Sequence, residues 1–68
     1  MKIFGERLRE IRIEKSMSQK ELAAILSTSD YNISRWELGQ FEPDQETLVK
    51  LAEYFNVTTD YLLGKTDF

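Results

Sequence analysis

Phe4, Leu8 and Ile11 recur at helical spacing near the start of the chain and predict a first helix from about Ile3 to Lys15 with one buried face. Ser18 and Glu21 form an S-x-x-E capping box that starts a second helix, and Met17 and Leu22 stand where a hydrophobic staple fixes its entry angle. Ala23, in mid-helix, lets a following helix cross closely. The chain turns around Ser27, and Ser29 caps a third helix that runs to about Leu38. Here the pattern divides sharply. Ile33 and Trp36 share an apolar face, and Asp30, Tyr31, Asn32, Ser34 and Arg35 form a polar one.

Gly39 follows as a C-cap. Pro43 and Asp44 begin a fourth helix, capped by Asp44, whose inner face carries Leu48, Leu51, Ala52 and Phe55 before Asn56 ends it. Thr58 caps a short fifth helix with Tyr61 and Leu62, which Gly64 terminates. No stretch of strand-like alternation competes. The expectation is an all-α, compact five-helix domain over residues 1–68, with a helix-turn-helix between Ser18 and Gly39.

Sixty-eight residues form a thin core, and chains of this size often lean on disulfides, metals or self-association. There is no Cys and no His, which excludes disulfides and the usual zinc sites and leaves helix packing, self-association or both. The lack of Cys is consistent with a cytoplasmic protein. No apolar run approaches the roughly 20 residues needed to span a bilayer, and no continuous apolar stretch follows Lys2, so no signal peptide is expected. The 31% charged and 41% apolar composition suits a soluble folded domain.

The net charge of −3 counts against nucleic acid, because phosphate contacts supply most non-specific affinity. Its distribution softens the objection. Residues 1–20 carry six basic and three acidic side chains (+3), residues 21–40 one and three (−2), and residues 41–68 two and six (−4). A polarised domain still offers one neutral-to-basic face.

A short helix held at a fixed angle by its predecessor, with small polar groups at its front, fits a DNA major groove. On that reading Arg35 pairs bidentately with the N7 and O6 of guanine or holds a phosphate. Asn32 pairs with adenine or holds a phosphate. Tyr31 packs on a thymine methyl, bonds a phosphate or packs against the protein. Asp30 accepts from cytosine or serves as a first-turn carboxylate favoured by the helix dipole, repelling phosphates of wrong sequences. Gln19 lies at a helix N-terminus, where backbone N–H groups already favour a phosphate. Ser29 is first a cap and second a phosphate contact; Ser34 and Gln40 are further backbone-contact candidates.

GERLREIRIEKSMSQKELA, ISRWELGQFEP and DQETLVKLAEYFNVTTDYLLG together resemble the phage-repressor, Cro or xenobiotic-response-element type of helix-turn-helix domain over almost the whole chain. The resemblance implies five helices, DNA binding as a dimer, and usually repression in a phage or bacterial setting. It implies that Gln19 holds a backbone phosphate, that Asp30, Tyr31, Asn32 and Arg35 face bases or adjacent phosphates, and that Arg12 and Glu37 form a buried salt bridge between helices one and three. The chain departs from that pattern at Ser27, where Gly is common and a left-handed backbone costs a non-Gly residue roughly 1–2 kcal/mol. It departs again at Asp30, and at Gln40 and Phe41, which replace basic loop residues. Ile13, Ile25, Leu38 and Phe41 are apolar where polar residues are usual.

Leu38, Phe41 and Phe68 are the interface candidates for a two-fold dimer that would hold two recognition helices about 34 Å apart. With no His or Cys for nucleophilic or metal catalysis, no glycine-rich phosphate loop, and carboxylates spread at solvent-type spacing, no enzyme activity, cofactor or metal is expected. The rival reading is a protein-interaction module of the same fold, favoured by the acidic balance and by Ile25, Leu38 and Phe41.

Overall fold

The computed structural model describes residues 2–67. Phe68, one of the interface candidates, lies outside the described residues. The described chain forms five α-helices, α1 (Lys2–Glu14), α2 (Gln19–Leu26), α3 (Asp30–Glu37), α4 (Gln45–Phe55) and α5 (Thr59–Leu62), and no strands.

The helix starts follow the side-chain chemistry. At Ser18 the capping box closes both ways: its hydroxyl accepts from the Glu21 amide (3.0 Å) and its own amide donates to Glu21 Oε1 (2.8 Å). The side-chain oxygens of Ser29, Asp44 and Thr58 accept from the amides three residues on, those of Asn32, Thr47 and Tyr61.

The five helix ends share one device. Ser16, Ser27, Gly39, Asn56 and Gly64 all take positive φ, between 56° and 81°. In each case the next amide reaches back five residues: Met17 to Arg12, Thr28 to Ala23, Gln40 to Arg35, Val57 to Ala52 and Lys65 to Asp60, at 2.9–3.1 Å. This is the Schellman pattern, which satisfies carbonyls that the helix leaves unpaired. Because Ser16 is left-handed, α1 stops at Glu14, one residue short of the periodicity-based expectation. Ser27 does adopt the left-handed backbone despite its Cβ.

The core draws on every helix: Phe4, Leu8 and Ile11 from α1; Leu22 and Ala23 from α2; Ile33 and Trp36 from α3; Leu51, Ala52 and Phe55 from α4; and Leu62 from α5. Met17, Leu26, Leu48, Val57 and Tyr61 pack around it. Gly5 lets α1 approach the C-terminal end of α3. A Cβ there would come closer than 3.0 Å to the backbone carbonyl oxygens of both Trp36 and Glu37. Arg7 ties the C-terminal segment to α1. Its guanidinium donates to the carbonyls of Tyr61 and Thr66, lies 4.4 Å from the centre of the Tyr61 ring and pairs with Asp67 at 3.5 Å. No described helix is long and apolar enough to cross a membrane.

Gly5→Ala puts a methyl group against backbone that cannot rotate away. We expect it to destabilise the domain by about 1–3 kcal/mol, the usual range for overpacking, measured by urea unfolding. A wild-type midpoint in Gly5→Ala would show that α1 and α3 can separate without loss.

Hydrogen bonds at the caps hold two carboxyls below their ordinary range. For Glu21 the bond with the Ser18 backbone leads and that with its hydroxyl follows; for Asp44 both bonds are with Thr47, its side chain first. A depressed folded pKa contributes stability above the unfolded value and loses it as pH falls through the folded one. Urea midpoints should therefore drop as pH falls from about 5 towards 3, and less so in a Glu21→Gln/Asp44→Asn variant. An identical acid dependence in that variant would remove the caps as its source.

Candidate nucleic-acid interface

A buried ion pair fixes α3. Arg12 Nε donates to Glu37 Oε2 at 2.6 Å and Arg12 Nη2 to Glu37 Oε1 at 2.9 Å, a two-bond fork between residues only 8% and 9% exposed. The third guanidinium nitrogen, Nη1, donates to the Met17 carbonyl at 2.8 Å. Gln19 Nε2 adds a donor to Glu37 Oε1 at 3.1 Å. Glu37 thus holds the end of α1, the start of α2 and the end of α3 to one point. Its hydrogen bonds raise the Arg12 pKa above the ordinary value, outweighing the opposing effect of burial.

With Ile33 and Trp36 buried beneath it, α3 turns its other face outward. Asp30 is exposed in its first turn, and Tyr31 is 59% exposed. Arg35 is half-buried. Its guanidinium lies 5.2 Å from the Tyr31 ring centre, with Nη1 donating to Gln40 Oε1 at 2.6 Å and Nη2 to Ser34 Oγ at 3.4 Å. The Phe41 ring meets Tyr31 edge-on at 6.2 Å between centroids. Tyr31, Ser34, Arg35, Gln40 and Phe41 therefore form one cluster at the C-terminal half of α3 and the loop after it.

Asn32 points elsewhere. Its Nδ2 donates to Thr28 Oγ1 at 2.9 Å, so it braces the turn between α2 and α3 and lines a groove of about 430 Å³ with Thr28, Trp36 and Pro43. Gln19 is half-buried, with its amide directed inward to Glu37. Ser29 is exposed at the cap. Of the interface candidates, Leu38 is exposed, and Phe41, also exposed, joins the cluster around Arg35 through Tyr31. Ile3, Ile13, Ile25, Val49 and Tyr54 are further exposed apolar side chains. The periodicity reading missed the Thr28 partner of Asn32 and the Gln40 partner of Arg35. For the second a signal existed: Gly39 folds the chain back so that position 40 returns to Arg35. No cluster of ligating side chains among the described residues could hold a metal ion.

α2, the three-residue turn 27–29 and the Ser29-capped α3 make a helix-turn-helix unit inside a five-helix domain. The chain belongs to the helix-turn-helix domain family, whose model matches residues 5–67. It is 44% identical over 64 residues to the HTH-type transcriptional regulator ImmR of Bacillus subtilis (strain 168), covering 94% of this chain and 50% of ImmR. It is 40% identical over 61 residues to the HTH-type transcriptional activator BcrR of Enterococcus faecalis, covering 90% of this chain and 30% of BcrR. The chain thus spans half or less of the length of these two relatives. The fold matches that of the P22 c2 repressor of Salmonella phage P22, crystallised with a synthetic operator, with a TM-score of 0.84 and 32% identity over 91% of this chain and 94% of that one.

Arg12→Ala or Glu37→Ala strands a buried charge and should cost roughly 3–5 kcal/mol in urea unfolding. An Arg12→Met/Glu37→Leu pair should cost less than either single change, because it leaves no unpaired charge. Single variants within about 1 kcal/mol of wild type, as for exposed pairs, would contradict a buried, coupled role.

Proposed function

We propose that the chain is the DNA-binding part of a transcriptional regulator, and that it binds an inverted-repeat operator as a homodimer with α3 in the major groove. The observation that carries this reading is the orientation of α3. Its apolar face and Glu37 are locked into the domain, while Tyr31, Arg35 and the capped first turn lie outward on a rigid element. Tyr31 and Arg35 read bases, and Asp30 excludes sequences that bring a phosphate near it. Asn32, in the first turn of α3, makes a base or backbone contact on release from Thr28. Ser29, Ser34, Gln40 and, on release from Glu37, Gln19 position the backbone. The relatives include a transcriptional activator and a phage repressor, so the direction of regulation is left open on this reading, and the setting proposed for the chain is cytoplasmic. Binding chemistry accounts for every feature of the site, with no enzyme step.

The acidic balance sets the character of the binding. With a net charge of −3, few phosphates are neutralised, so non-specific affinity is low and selectivity rests on a few oriented donors. Exposed Ile25 and Leu38 favour a second reading, a protein-interaction module of the same fold.

Selection from a random duplex pool, followed by salt titration of the enriched sequences, separates the two. DNA binding predicts an enriched inverted repeat whose log affinity falls linearly with log salt. Arg35→Ala should then lose roughly 1–3 kcal/mol of discrimination at one base position while staying folded. Leu38→Asp should leave half-site recognition intact. No enrichment by folded protein, even at low salt, would overturn the DNA reading.

A further inference from the structure

Gln40 is bound twice to the residue best placed to read a base. Its backbone amide donates to the Arg35 carbonyl at 2.9 Å, closing the end of α3, and its side-chain oxygen accepts from Arg35 Nη1 at 2.6 Å. A guanidinium only donates, so the Gln40 atom facing it must be the oxygen. That leaves both N–H donors of the exposed Gln40 amide without a partner among the described residues.

The Arg35 side is equally constrained. Its guanidinium carbon lies over the Tyr31 ring at 5.2 Å, Nη2 touches Ser34 Oγ at 3.4 Å, and Nε is buried with no partner. Each terminal nitrogen keeps one further N–H, so the group can still donate to the acceptors of a guanine edge. An unrestrained Arg loses rotamer freedom on binding and meets phosphates as readily as bases. A restrained one favours the base.

We propose that Gln40 is a positioning residue that couples base reading to backbone contact: its oxygen holds the Arg35 fork against Tyr31 while its amide nitrogen donates to a phosphate of the same duplex. This rests on the DNA-binding reading. It gives the replaced basic loop residue a purpose, since a Lys at position 40 could hold a phosphate but could not accept from Arg35.

The test compares wild type, Gln40→Lys and Gln40→Glu. Affinities are measured by fluorescence anisotropy for a duplex selected by wild type, and for the same duplex with each G·C pair of the half-site changed in turn to A·T, at three salt concentrations. Gln40→Lys should bind every duplex at least as tightly as wild type but lose about tenfold discrimination at one G·C pair. Gln40→Glu keeps the acceptor and loses the donor. It should weaken all duplexes about equally and keep the discrimination. Wild-type discrimination in Gln40→Lys, or lost discrimination in folded Gln40→Glu, would overturn the coupling alone. Failure of wild type to enrich any sequence would overturn the DNA reading and the coupling with it.

Discussion

The Arg12–Glu37 pair is the constraint on which the rest of the structure depends. Two buried charges gain little net stability over apolar residues of similar size, because their desolvation offsets their attraction. Their effect is geometric. The fork admits one relative placement of α1 and α3, and the further bonds to the Met17 carbonyl and from Gln19 bring in the start of α2. Gly5 works with the pair by letting α1 close onto the end of α3, where Glu37 stands. A helix of eight residues is too short to persist alone in water. Its direction is imposed by this contact and by burial of Ile33 and Trp36.

Rigid presentation matters because the chain has little charge to spend on indiscriminate contact. Its basic excess lies in residues 1–20, and its acidic excess lies in residues 41–68. The outward residues of α3 include one cation, Arg35, and one anion, Asp30. That cation lies over the Tyr31 ring and is bonded to Gln40. A surface of this kind gains selectivity from orientation more than from charge.

The helices were legible because their signals are short-range. Ser18 with Glu21, Ser29, Asp44 and Thr58 act on amides three residues away, and the left-handed ends at Ser27, Gly39, Asn56 and Gly64 fall where the apolar periodicity breaks. Ser16 escaped because nothing in its type demands a left-handed backbone; its φ of 57° and the Met17-to-Arg12 bond that arrests α1 show it. The outward face of α3 was also legible from Ile33 and Trp36. Beyond the capping box and the Arg12–Glu37 pair, which the family resemblance implied, side-chain partners were not. Asn32 turning to Thr28, Gln19 to Glu37 and Arg7 to the C-terminal carbonyls depend on rotamers chosen after the helices have packed. Periodicity assigns a residue to a face but not to a partner.

Amide chemical-shift mapping of the isotope-labelled protein, titrated with a duplex it selects, tests most directly whether the locked α3 is the surface that meets DNA. The account predicts the largest perturbations at residues 29–35, at Gln40 and at Gln19, with α4 and α5 little changed. Perturbations centred on the acidic α4–α5 end, or on Ile25 and Leu38 with residues 30–35 unmoved, would contradict it.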